Sequence, residues 1–292
     1  MKKLILTATT LILIASCQKS ELSLETSTEV VFTSGIETRV SGTEWDAGDG
    51  IGVFMYLYDI PEVYDENCSN VLYANAEGGV TTGTFTSENP LYYLNSYVDF
   101  MAYYPYTEAI TASGYNFIVS LGITDQSTAK SLKTQDFMVA STTKCNENNP
   151  PVLTYSRQMS RILITINRKV TKEDALVSDI SISNLVVDGT YTIDNGKDNS
   201  IVAGSTKGTL SLYENDSNVI EAIVIPQSVA TAVLTLTVDG EPFSTVIAGT
   251  FEANKQNNYT LNIGQDEVIL NTETISDWEE EDVVDDLTSE VF

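Results

Sequence analysis

The feature that most narrows the fold is a long succession of short runs rich in β-branched and aromatic residues, broken by turn formers. Val71-Leu72-Tyr73, Gly83-Thr84-Phe85-Thr86 and Pro90-Leu91-Tyr92-Tyr93-Leu94 are followed by Val98 to Pro105, Tyr115 to Val119 and Asp136 to Ala140. A helical period of useful length is absent, and Ser127 to Thr134 offers a turn or two at most. Such a chain buries its core between sheets, so the expectation is an all-β molecule.

The stretch Arg39 to Tyr56 organises the first half. Trp45 is placed to plug the end of a β-sandwich, and Gly48, Asp49 and Gly50 supply a tight turn. Ile51, Val53 and Met55 then fall on one face of a strand, with Phe54 and Tyr56 on the other. Ahead of this stretch, Glu29-Val30-Val31-Phe32-Thr33 reads as a short strand ending at Ser34-Gly35.

The polar run Thr142 to Asn149 and the pair Pro150-Pro151 read as the break between two β domains, residues 40–149 and 150–292. Beyond it, Val152 to Tyr155, Arg161 to Ile166, Ile180 to Leu185 and Val233 to Val238 read as strands. Val219 to Ile225 stops at Pro226 as an edge strand would, and Asp194-Asn195-Gly196 is a hairpin signal. Asn258 to Ile263 and Thr274 to Trp278 close the series. In the acidic tail from Glu279, Val283, Leu287 and Val291 share one strand face. That tail is either a solvated end or a segment able to add to another subunit's open sheet edge.

The opening residues concern address. Lys2 and Lys3 precede an apolar run, Leu4 to Ala15, that is too short to span a bilayer. Ile14-Ala15-Ser16-Cys17 resembles a lipobox, so residues 1–16 are expected to be a lipoprotein signal peptide and Cys17 the acylated residue. Each buried methylene contributes about 0.8 kcal/mol, so two or three acyl chains hold a protein to a membrane. Residues 18–27 read as a tether, and no later stretch is apolar enough to span. Cys68 and Cys145 remain, either bridged or as two unpaired thiols.

Charge and missing residue types remove several function classes. With 15 Lys and Arg against 41 Asp and Glu, the formal net charge of −26 repels nucleic acid and anionic headgroups. There is no histidine, which removes the usual zinc sites, Ser-His-Asp catalysis and histidine bases together. Gly48 to Gly52 lacks the Lys-Ser/Thr ending of a phosphate loop. Paired carboxylates remain possible, as in glycosidases, because acids are plentiful, but no pair stands out. The expectation is a protein that is not an enzyme, with no cofactor and no metal.

The run Thr38-Arg39-x-Ser41-Gly42-Thr43-x-Trp45-x-x-Gly48-Asp49-x-Ile51-Gly52-Val53-Phe54 resembles the signature of the fimbrillin (Mfa-like) family of Bacteroidetes lipoproteins. Tyr103-Tyr104-Pro105, Gln135 to Ala140, Asn258 to Ile263 and Ile275 to Trp278 echo it in order. Tyr155-Ser156-Arg157 stands where many members carry Phe-x-His. The resemblance implies a type V pilus subunit of two tandem transthyretin-like β-sandwiches, exported to the outer membrane as a lipoprotein anchored through Cys17. It implies protease cleavage between Arg39 and Val40, so that residues 17–39 leave with the removable strand that holds Val30, Val31 and Phe32. The emptied groove then takes a donor strand from residues 267–292 of the next subunit, with Val283, Leu287 and Val291 as donor candidates. The implied partners are other fimbrial subunits and a host or bacterial surface receptor. The alternative is a lipid-anchored surface protein that binds carbohydrate through its tyrosines and tryptophans, although Tyr also packs well on a half-buried sheet.

Overall fold

The structure, a computed structural model, describes residues 28–36, 44–113, 116–194, 199–264 and 268–278. In chain order the first strands are β1 (Phe32–Ile36), β2 (Gly50–Leu57), β3 (Val71–Asn75), β4 (Thr82–Thr86), β5 (Val98–Tyr104), β6 (Ile110–Ser113) and β7 (Asn116–Gly122). A five-residue helix, α1 (Ala129–Lys133), precedes β8 (Met138–Cys145), β9 (Val152–Arg157) and β10 (Ser160–Arg168). Then come β11 (Val177–Val186), β12 (Asp188–Ile193), β13 (Val202–Ala203), β14 (Lys207–Ser211) and β15 (Val219–Val224). The last four are β16 (Gln227–Val238), β17 (Glu241–Phe251), β18 (Lys255–Ile263) and β19 (Val268–Asp277). The chain is thus nearly all β, as its punctuated runs require. α1 sits inside the predicted stretch, capped by Thr128 and Ser131.

Seven strands close into a barrel in the order β1-β4-β3-β2-β5-β8-β9. Every neighbouring pair is antiparallel except β1 with β9, which run parallel. Three four-stranded sheets follow, ordered β15-β10-β18-β19, β14-β11-β16-β17 and β13-β12-β7-β6. β15 is an edge strand, as its stop at Pro226 implies. β12 and β13 pair antiparallel on either side of the expected hairpin, of which residues 195–198 lie outside the described residues.

Strand β2 shows how the two cores are divided. Ile51, Val53 and Met55 point into the barrel, whereas Phe54 and Tyr56 join the second core. β5 does the same, with Phe100, Ala102 and Tyr104 inward and Met101 and Tyr103 outward. Both strands are buried on both faces because the sheet of β6, β7 and β12 lies against the barrel wall. Phe54 meets Phe117 at 4.8 Å, and Phe137 meets Tyr191 at 5.2 Å between ring centroids.

The strand pairing does not break at Pro150-Pro151. β9 follows the prolines directly yet pairs with β8 and β1, and β7 pairs with β12 across the expected boundary. Proline before the first residue of a strand costs no ladder bond, so the pair marks a corner of the barrel as readily as a linker. The first half of the polar run before it is strand as well: β8 extends to Cys145, and Ser141, Thr143 and Lys144 are polar because they face solvent. Gly50 likewise belongs to β2 rather than to the turn.

Candidate functional site

Strand β1 is built by a strict alternation. Val30, Phe32 and Ser34 are buried, while Val31 and Thr33 face outward. Its two ladders run from Phe32 opposite Phe85 to Gly35 opposite Thr82, and from Thr33 beside Val152 to Ile36 beside Tyr155. Upstream, the Val30 amide donates to the Leu91 carbonyl at 2.8 Å and the Tyr93 amide to the Thr28 carbonyl at 3.0 Å. The Phe32 ring meets Tyr73 and Phe100 edge-on at 4.8 and 5.0 Å. Burial of Val30 and Phe32 contributes roughly 1.5–3 kcal/mol each. Against that, the buried Ser34 hydroxyl has no hydrogen-bond partner, a penalty of about 1–3 kcal/mol. β1 therefore rests on two apolar anchors and its ladders. Without it, facing edges of β4 and β9 lose their partners and the barrel core opens to water.

The chain re-enters the barrel at Trp45, which is 1% exposed and meets Phe85, Tyr104 and Tyr155 at 5.1–5.6 Å. Its plugging role is therefore the one its sequence context suggests. Gly48 takes φ +88°, a left-handed conformation that favours glycine, and the Asp49 amide closes the turn on the Asp46 carbonyl. Lys133 of α1 fixes the loop through Asp46 at 2.7 Å, Asp49 at 3.0 Å and the Glu44 carbonyl at 2.9 Å. Arg39 and Val40, the expected cleavage pair, lie outside the described residues, as does Cys17.

Trp278 lies at the same end of the barrel. Trp278 is 2% exposed and lies under the Arg157 guanidinium, 4.9 Å from the ring centroid. Arg157 is the last residue of β9, and its Nε donates to Asp136 Oδ2 at 2.7 Å. Burial pushes the Asp136 carboxyl up, and the Arg157 and Arg161 charges pull against that shift. Arg161 in turn pairs with Glu221 at 2.8 Å and donates to Gln256 at 2.8 Å. Asp136, Arg157, Arg161, Glu221 and Trp278 line a cleft of about 810 Å³ that also includes Glu44 and Asp49. The strand beside β1 thus grips the root of the tail. Val283, Leu287 and Val291 lie outside the described residues.

Cys68 and Cys145 are both buried, belong to the barrel core and stand as free thiols, so the bridged alternative is not what the structure holds. Burial, with Asp65 adding to it, pushes the Cys68 thiol up to about 11, and burial also raises Cys145. Protonated thiols of this kind are poor nucleophiles.

Local pattern identifies β1 and β9 as strands but not their parallel pairing, and it does not show that Arg157 and Trp278 meet. An isolated arginine at a strand end, just before another apolar run, was the only available signal.

The profile of the fimbrillin-like family matches residues 38–278. A Bacteroides uniformis protein described as a candidate fimbrium subunit, Fim1C, is 30% identical over 266 residues, spanning 84% of this chain and 83% of its own. A crystal structure of a candidate cell adhesion protein from Bacteroides uniformis superposes with a TM-score of 0.67 at 24% identity, covering 87% of this chain and 99% of that one. Another from Bacteroides ovatus gives 0.70 at 18% identity, covering 88% and 99%. The two crystal structures share the fold.

Proposed function

This chain belongs to the fimbrillin-like family, and from that premise we propose that it is a fimbrial structural subunit that assembles by strand exchange. Its place is the cell surface, in the fimbria. The precursor is held to the outer membrane by acylated Cys17. Cleavage between Arg39 and Val40 frees the segment that carries β1. A strand from residues 267–292 of the next subunit, bearing Val283, Leu287 and Val291, then takes its place. The folded body comprises the barrel, formed largely before Pro150, and the later sheets.

The observation that carries this reading is the seat of β1. It is a five-residue strand that closes the barrel and precedes the cleavage pair, so one cut detaches a whole barrel stave. A replacement that places several apolar side chains in the vacated row gains roughly 1.5–3 kcal/mol for each. Ladder bonds on both edges add to this. Because donor and acceptor are different surfaces, the contact does not close on itself and grows a fibre.

Fimbriae isolated from cells should therefore contain a chain that begins at Val40, read by N-terminal sequencing. Full-length chains still carrying acylated Cys17 throughout the fibre would refute the exchange. Removal of 283–292 should leave a folded monomer that does not elongate.

A further inference from the structure

The exposed apolar side chains of the barrel half are gathered at one end. Leu57 lies opposite Val98, Val98 opposite Cys145, and Thr33 beside Val152, so the end of β2, the starts of β5, β9 and β1 and the end of β8 share one pole. Tyr58, Ile60 and Tyr64 follow β2, Tyr92 and Tyr97 precede β5, Val152 opens β9 and Val31 leads into β1. Each is between 39% and 59% exposed. Among the described residues from 28 to 157, Leu72 is the one exposed large apolar side chain outside this group. The opposite pole carries the Trp45 loop and the Arg157 cleft, where the barrel meets the later strands.

The pole is held in place rather than loosely draped. The buried Asp99 carboxylate accepts from the Asp59 amide at 3.1 Å and from the Lys144 amide at 2.8 Å. The Tyr58 amide donates to the Tyr97 carbonyl at 3.1 Å, and the two rings meet edge-on at 6.3 Å. The Lys144 ammonium stands 5.4 Å from the Tyr97 ring centroid.

We propose that this aromatic pole is a contact surface for a second copy of the chain in the assembled fibre. The inference rests on the strand-exchange reading and adds to it where the neighbouring body sits. Two observations select a second copy. β1 begins at this pole, so the row it occupies is continuous with the aromatic surface. The other pole already faces the chain's own later strands across the Arg157 cleft. A glycan fits less well, because edge-on rings with one face under an ammonium leave no flat platform for a sugar. Pre-set tyrosines also carry binding energy at small entropic cost.

The test uses the full chain with Tyr97 replaced by photo-reactive benzoylphenylalanine, expressed in fimbriated cells and irradiated in intact fibres. Copy-to-copy crosslinks mapped to the pole are expected. Fibres without them overturn the proposal, and capture of glycans by uncrosslinked fibres would replace it with a carbohydrate site. In parallel, the double variant Tyr58→Ser, Tyr97→Ser should slow fibre growth at least about tenfold. It should bind a synthetic peptide of residues 268–292 as the unaltered processed subunit does. Growth at the unaltered rate overturns the pole contact. If the unaltered processed subunit takes up no peptide while Tyr97 still crosslinks in fibres, strand exchange fails and the pole contact stands.

Discussion

At the scale of single residues, burial governs the chemistry of this chain more than charge pairing does. Desolvation pushes the Tyr93 and Tyr103 phenols up to about 12 and the Cys68 thiol up to about 11. An unfolded chain releases the same protons near about 10 for Tyr and 8.5 for Cys. In the window between, the unfolded state binds fewer protons than the folded one, so stability falls as pH rises. Urea midpoints measured from pH 8 to pH 11.5 should stay level at first and then decline from about pH 9–10 upward. A midpoint unchanged to pH 11.5 would show that these groups titrate alike in both states. The Asp136–Arg157–Trp278 contact is the exception at this scale, a charged pair kept dry where β9 and the tail root meet.

Among the elements, β1 differs from its neighbours in length and in anchorage. It spans five residues with one buried apolar anchor, Phe32, and a second, Val30, just ahead of it, whereas β5 is buried along all seven of its residues. Phe32→Ala removes the larger anchor and its two edge-on ring contacts, a loss of about 3–5 kcal/mol. Hydrogen exchange followed by mass spectrometry should then show faster exchange in β4 and β9, with β15 and β10 unchanged. Equal protection in all four would mean that β1 does not hold the barrel shut. The pattern of residues made β1 readable as a strand and β2 readable as a two-faced one. It did not disclose that β1 pairs in parallel with β9, because a parallel neighbour more than a hundred residues away leaves no mark on local alternation.

For the whole molecule, the acidic excess sets the terms of association. Copies of formal charge −26 repel one another before any short-range contact forms. Salt shortens the range of that repulsion to about 10 Å at 0.1 M and about 3 Å at 1 M. Processed subunits should therefore assemble several-fold faster at 0.5 M sodium chloride than at 20 mM, followed by light scattering. Slower growth at high salt would point to attraction between opposite charges as the driving contact.

What the residues determined alone is local: the β class, the two faces of β2, the buried Trp45 and the short strand ahead of Arg39. Each follows from a period of two, from side-chain volume or from turn chemistry, which operate over a few neighbouring residues. Tertiary structure decided which strands became neighbours. It kept β9 in the barrel past Pro150-Pro151, joined β7 to β12, and brought Arg157 onto Trp278. Those outcomes depend on how closed sheets share a common interior, and no stretch of sequence contains that interior by itself.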